Sequence, residues 1–533
     1  MGSAGIRYRL VRGWPIWVPG LIVVAGIAIP LVYLFIRAVD ADFTELAGLL
    51  VRPRNLVLLG NTLMLAVGVL ATSTLVAFPL AWLATRGNMH GRRFITLLGV
   101  LPLSIPGYVM AYVLLAATGR FGASALLLGI EIPRLSGYTG ALIALSTYTF
   151  PYLFLNLRSA LTGLDVSLEE SARSLGLSGR DVFLRVILPQ LKPAYWAGSL
   201  LIVLHVLGDF GVVSLMRFET FSYAIYLQYA GAFDRLYAAW LAIMLLLLTG
   251  SMLLVEARVL RNTHVAGRGP GSARTRPAKT TGGWGWLAWP FLGVVAGVSV
   301  VLPLTTLGFW AMRGLSNATP ALLESVAGSL SASLPTALLT VVLAIPIAYA
   351  SVRMPRSPLR VLERFAYMGY AIPPLALALA VIFASLALFP ALYQTLGLLV
   401  FVCAIHFLAE ALGPIRSAFM QTNPAVEESA RVLGRTPLRA FMEAVLPVVR
   451  PGIVASLAFV FLSMMKELPL TFLLSPVGFR TLALNVWSHT NEALYAQAAP
   501  HALLIVLFSA IFVGLLLRRE SRRPLPHPTA PVT

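Results

Sequence analysis

The chain is 533 residues long, 58% hydrophobic and only 11% charged, with a mean hydropathy of +0.83. A soluble domain carries roughly 25% charged residues, so a soluble protein is excluded and an all-α polytopic membrane protein is expected. The net charge of +19 does not imply a nucleic-acid partner, because the Lys and Arg of a membrane protein gather in cytoplasmic loops.

The first apolar stretch, Trp14 to Ile36, follows Arg7, Arg9 and Arg12. It is too long for a secretory signal and lacks an A-x-A-like cleavage site, so it reads as a retained first span. A spanning helix needs about 20 apolar residues. About twelve such runs are present, near 14–37, 57–84, 94–117, 137–156, 195–216 and 236–255, then near 285–311, 329–352, 364–389, 393–412, 453–475 and 500–517. The lone cysteine, Cys403, lies in one of these runs, which excludes an intrachain disulfide and a Cys-based metal site. No cofactor and no resident metal are expected.

Lys and Arg give the orientation. With the N-terminus in the cytoplasm, that side receives Arg86, Arg92, Arg93, Arg258, Arg261, Arg268, Arg274, Arg276, Lys279, Arg353, Arg356, Arg360, Arg364, Arg518, Arg519, Arg522 and Arg523. The other side receives Asp40, Asp42, Glu45, Glu131, Asp234, Glu324 and Glu492, with Arg52 and Arg54 against the trend. Both termini are therefore expected in the cytoplasm. Residues 256–284, rich in Gly, Pro, Thr and Arg, read as a flexible cytoplasmic linker between repeats at 1–255 and 285–518. Residues 519–533 read as a basic, Pro-rich tail. Six spans per half return the chain to the same side, so the repeats are parallel.

The repeat is visible in residues. DVSLEESARSLGLSGRDVFLRVILPQLKPA, 165–194, matches NPAVEESARVLGRTPLRAFMEAVLPVVRPG, 423–452, at a constant offset of 258. Arg158-Ser159-Ala160 and Arg416-Ser417-Ala418 share that offset. Pro79 to Trp82 resembles Pro346 to Tyr349, and Ile105-Pro106 resembles Ile372-Pro373, at an offset of 267. The first half is thus about nine residues longer, most simply in the 122–138 loop.

Each copy is patterned as helix, turn, helix. Asp165 is a good N-cap, and Asn423 precedes Pro424 at the favoured first position. Glu169 and Glu170, and Glu427 and Glu428, suit the positive end of the helix dipole. Gly176 and Gly434 are placed to end the first helix. Ser178 and Thr436 are placed to cap the second. Pro189 and Pro447 are expected to interrupt it, and Pro193 and Pro451 precede the next span. Ala172 and Ala430 leave a slim helix able to enter a groove on another protein.

Glu170-Ser171-Ala172, Gly176 and Val186-Ile187-Leu188-Pro189, with Glu428-Ser429-Ala430, Gly434 and Val445-Leu446-Pro447, resemble the EAA loop of permease subunits of binding-protein-dependent ABC importers. Ser replaces the usual second Ala, and Val186 and Ala444 replace the usual Ile. The resemblance implies the type I importer permease fold. It makes the two loops coupling helices for two copies of a separate ATPase, with an external substrate-binding protein on the opposite face. It also implies the bacterial inner membrane, and no second permease subunit. The chain has no GxxxxGK[ST] loop, so ATP hydrolysis is not expected of it. The stretch from Lys466 to Trp487, KELPLTFLLSPVGFRTLALNVW, further resembles ferric-iron importer permeases. Thiamine, polyamine, phosphonate and sulfate permeases are related.

Ionisable residues within spans are costly and therefore candidates for the translocation path. They are His205 and Asp209 in the first half, and His406, Glu410, Lys466 and Glu467 in the second. Asp209 and Glu467 are 258 apart. Lys466 beside Glu467 suggests an intramembrane pair, whose plainer reading is a structural tie between helices, and Pro469 is expected to kink the helix beyond it. No His, Asp and Glu cluster has the spacing to chelate bare Fe³⁺. A gradient-driven carrier of two six-span halves is the alternative of another class, but it has no ATPase to engage with a coupling loop. A membrane enzyme would need clustered catalytic groups, and the seven histidines are scattered.

Overall fold

The computed structural model describes residues 3–39, 48, 52–87, 91–261, 285–354 and 360–521. Of the charged residues used to assign orientation, Asp40, Asp42, Glu45, Arg268, Arg274, Arg276, Lys279, Arg356, Arg522 and Arg523 lie outside these. So do most of the linker and of the tail. The described chain is built of helices. Nine are long and apolar enough to cross a bilayer, or up to twelve if each of three bent pairs makes one span.

The bent pairs correct three expected spans. The run at 94–117 is Arg92–Ser104 and Gly107–Ala117 meeting at 93°, and the run at 364–389 is Leu362–Ala371 and Pro374–Leu388 meeting at 107°. The bends fall at Ile105-Pro106 and Ile372-Pro373, because the proline ring disfavours helical geometry in the residue before it. The run at 393–412 bends by 52° between Leu396–His406 and Leu408–Gln421.

The runs at 195–216 and 453–475 are also interrupted. Their long helices end at Gly208 and Met465, and short helices, Gly211–Leu215 and Pro469–Leu474, follow. The runs at 285–311 and 329–352 are not separated by a loop. The backbone stays helical through Leu302–Arg353, with Pro320 inside it. Arg52 and Arg54, the two misplaced cations, have partners: Arg52 lies over the Tyr237 ring at 4.6 Å, and Arg54 pairs with Glu219 at 3.1 Å.

Each half reaches into the other. The first helix, Ser3–Val39, packs on Pro374–Leu388 of the second half. In return, Leu302–Arg353 packs on Gly107–Ala117, where the Trp310 indole donates to the Ala116 carbonyl at 3.0 Å. Tyr112 donates to the Tyr495 carbonyl at 3.0 Å, and Trp487 to Ser214 Oγ at 2.9 Å. Phe210 of the first half sits among Phe472 and Trp487 of the second, with centroids 5.7 and 5.8 Å away. Lipid is as apolar as Leu, so it is close packing and such hydrogen bonds that hold helices together in a bilayer.

Small residues allow that closeness. A Cβ at Gly452 would stand 2.7 Å from the Pro414 carbonyl oxygen. Gly452→Val should push Leu446–Met465 off Leu408–Gln421 and cost about 1–3 kcal/mol, read as a lower melting temperature of the purified chain. An unchanged melting temperature would contradict this packing.

Candidate functional site

The repeated loops form as their patterning requires. Asp165 Oδ1 accepts the Ser167 N–H at 2.9 Å, and Asn423 Oδ1 accepts that of Ala425 at 3.0 Å. Gly176 and Gly434 end the short helices with φ of +85° and +82°. Leu177 N–H reaches the Ala172 carbonyl, Gly176 N–H that of Arg173, and Arg435 and Gly434 repeat both bonds. This is the Schellman arrangement that satisfies a helix's last carbonyls. Ser178 and Thr436 cap the second helices, accepting from Asp181 N–H at 3.2 Å and Arg439 N–H at 3.4 Å.

Pro189 and Pro447 do not interrupt those helices, contrary to expectation. A wide π-turn precedes each proline, at Phe183–Ile187 and Phe441–Val445. Leu188 N–H then bonds the Phe183 carbonyl, and Leu446 N–H that of Phe441. The widened turn accommodates a ring that would otherwise meet the carbonyl four residues back. The helical rod therefore runs unbroken over Gly179–Gly208 and over Pro437–Met465.

The paired glutamates divide their work. Glu170 and Glu428 are exposed, as are Ser171 and Ser429. Glu169 and Glu427 are buried and face the protein's own body. Arg86 Nη1 pairs with Glu169 at 2.7 Å. Tyr349 donates its hydroxyl to Glu427 at 2.9 Å, and Arg431 pairs with the same carboxylate. Trp82 meets Phe183 edge-on at 5.5 Å, and Tyr349 meets Phe441 edge-on at 5.8 Å. The helix bearing Trp82 and Arg86 thus grips the first loop as the one bearing Tyr349 and Arg353 grips the second.

Ala172 is also buried and Ala430 half-buried, so their small size lets each loop lie close to its own body. Leu188, Pro189 and Pro447 are exposed and Leu446 half-buried. The residues that stand out to solvent were missed in the sequence: Leu175 is 84% exposed, Leu433 82% and Val432 87%. The signal was present, since Leu-Gly recurs at 175–176 and 433–434.

The six candidate path residues converge on one cavity of about 680 Å³ between the halves. Its walls come from equivalent positions. Tyr148 matches His406, Tyr152 matches Glu410, His205 matches Ser463, and Asp209 matches Glu467, each 258 apart. Leu103 and Tyr370 match at 267. In the first half His205 donates from Nδ1 to the Leu201 carbonyl at 3.0 Å, and its Nε2 lies 3.1 Å from the Tyr152 hydroxyl. In the second, Ser463 donates to Glu410 at 2.6 Å, and His406 Nδ1 donates to the Gly369 carbonyl at 3.1 Å.

Asp209 and Glu467 sit where the long helices stop. Asp209 Oδ1 accepts the Val212 N–H at 2.8 Å, and Glu467 Oε1 accepts that of Leu470 at 2.8 Å. Each carboxylate caps the short helix that follows. The expected Lys466–Glu467 pair does not form, because Glu467 is turned to its cap and Lys466 Nζ donates to the Leu103 carbonyl at 3.1 Å. Pro469 begins the new helix instead of kinking an old one. Among the described residues, no three His, Cys, Asp or Glu side chains converge as a metal site.

The family of binding-protein-dependent transport system inner membrane components matches the chain at residues 81–265 and again at 337–522. The Fe(3+)-transport system permease protein FbpB 2 of Haemophilus influenzae is 33% identical over 510 residues, 94% of this chain and 98% of that protein. The molybdenum transport system permease protein ModB of the same organism is 35% identical over 153 residues, 28% of this chain and 67% of its own length. A probable sulfate transport system permease protein, cysT of Prototheca wickerhamii, is 31% identical over 190 residues, 35% of this chain and 74% of its own length.

Arg86→Leu should remove the short ion pair to the buried Glu169 carboxylate, at a cost on the order of 3 kcal/mol. Tyr349→Phe should cost only about 1–2 kcal/mol, because Arg431 remains beside Glu427. Limited proteolysis of the 165–178 and 423–436 loops checks this: faster cleavage is expected for Arg86→Leu than for Tyr349→Phe. Equal rates would contradict the anchoring.

Proposed function

The chain belongs to the family of binding-protein-dependent transport system inner membrane components, and we propose that it supplies both permease halves of an ABC importer for ferric iron. The observation that carries the two-halves reading is the pair of equivalent capped loops. Each presents an exposed glutamate, a serine and a solvent-facing leucine beside its turn glycine. Two such handles suit two copies of one ATPase on the cytoplasmic face, each seating Glu170, Ser171 and Leu175, or Glu428, Ser429 and Leu433. Glu169, Glu427, Ala172 and Ala430 then hold the handles to the membrane body. The chain itself is a transport subunit, and ATP is hydrolysed by its partner. A substrate-binding protein delivers cargo at the outer face of the bacterial inner membrane, with both termini in the cytoplasm. No second permease chain is needed.

Two lines support iron. The similarity to a protein named for Fe(3+) transport runs along 94% of this chain. The cavity also sets the carboxyl groups of Asp209, Glu410 and Glu467 against the single amine of Lys466, a balance that favours a cation over an oxyanion. Molybdate or sulfate is the second reading, favoured by the shorter similarities. A gradient-driven carrier does not fit membership of this family.

Tagged chain expressed with its neighbouring ATPase should purify as one permease with two ATPase subunits. Leu175→Asp with Leu433→Asp should abolish that association. Asp209→Asn should keep it while lowering uptake of radioactive iron at least tenfold. Uptake of molybdate or sulfate with no iron uptake would overturn the iron reading, and a stoichiometric second membrane subunit would overturn the two-halves reading.

A further inference from the structure

Lys466 has no counterpart in the first half, where the equivalent position is Gly208. A lysine inside a bilayer is costly and calls for a reason. Its ammonium donates to the Leu103 carbonyl, and it lines the same cavity as the carboxyl groups of Asp209, Glu410 and Glu467. Glu410 accepts a hydrogen bond from the Ser463 hydroxyl at 2.6 Å. Lys466 thus lies within the field of a carboxylate without being locked to it.

The same cavity contains a polar group with nothing to bind. Tyr108 is 5% exposed, lines the cavity, and its hydroxyl has no hydrogen-bond partner among the described residues. A buried hydroxyl is costly unless bonded, so this one is placed for something that is not part of the protein. The size of the space says what fits. At ~30 Å³ per water, a cavity of about 680 Å³ accepts a cation together with its water shell. The lack of three converging ligands among the described residues suits a cation that keeps most of that shell and is held loosely.

We propose that the cavity is a passing station for a hydrated multivalent cation, in which Lys466 is a tethered counter-ion that the cargo displaces from the carboxyl groups. The inference rests on the cavity being the import path. Cargo of higher charge outcompetes the single ammonium for Glu410, Glu467 and Asp209. As the cargo leaves, the Lys466 ammonium again offsets the charge of the carboxyl groups and opposes rebinding, so release is made easier at the expense of affinity.

The test uses the purified full chain in lipid nanodiscs, titrated with terbium(III), whose luminescence nearby tyrosines sensitise. Wild type should show weak, saturable binding. Lys466→Met should bind about tenfold tighter, Lys466→Arg should stay near wild type, and Glu410→Gln added to Lys466→Met should remove the gain. Equal affinity of wild type and Lys466→Met, or a gain that survives Glu410→Gln, would overturn the proposal. In cells, Lys466→Met should lower iron uptake at least several-fold, because the cargo is held too long. Wild-type iron uptake alongside terbium binding indifferent to Lys466 would sink the counter-ion and leave the import reading. Terbium binding tuned by Lys466 without metal uptake would sink the iron reading and leave the counter-ion.

Discussion

A helix that stops inside a bilayer exposes N–H groups where no water can take them up, and each must be satisfied within the protein. This chain stops two long helices beside one cavity, at Gly208 and at Met465. Asp209 and Glu467 receive the first N–H groups of the helices that follow. The same two carboxylates thereby become part of the cavity wall. A structural requirement of low-dielectric surroundings and the chemistry of the cavity wall are met by one pair of side chains.

The cavity is joined mechanically to the loops. The helical rod of Gly179–Gly208 starts at the first loop and ends beside Asp209, and Pro437–Met465 does the same for Glu467. At 1.5 Å per residue such a rod is roughly 45 Å long. The π-turns at Phe183–Ile187 and Phe441–Val445 let each rod pass a proline without breaking. The anchors of Glu169 and Glu427 tie each loop to a second helix as well. Each loop is therefore continuous with a rod that ends at the cavity and is tied to a neighbouring span as well. Because each half packs into the other through Ser3–Val39 and Leu302–Arg353, movement of one half is felt by its partner.

The two halves are equivalent in backbone and unequal in chemistry. The first brings Tyr148, Tyr152, His205 and Asp209 to the cavity, and the second brings His406, Glu410, Ser463, Lys466 and Glu467. Fusion in one chain makes this possible, since each copy is free to take different residues at matched positions. A homodimer would repeat every wall residue twice.

Much of this was legible in the residues themselves. Apolar run length located the membrane helices, because the bilayer sets a minimum length. The matched loops, their caps and the glycine turns at 176 and 434 were legible because those signals are local: each rests on a few neighbouring backbone groups. The convergence of His205, Asp209, His406, Glu410, Lys466 and Glu467 followed from the cost of burying such groups in lipid. What the sequence could not decide was direction and partnership. Glu169 and Glu170 are adjacent and alike, and only the position of Arg86 turns one inward. Lys466 and Glu467 look like a pair, and only the arrival of the Leu103 carbonyl and the helix break between Met465 and Pro469 separates them. The bends at Pro106 and Pro373 likewise needed a tertiary frame, since a proline in an apolar run is compatible with a kink or with a reversal. Those outcomes depend on contacts between residues hundreds of positions apart, which local pattern does not encode.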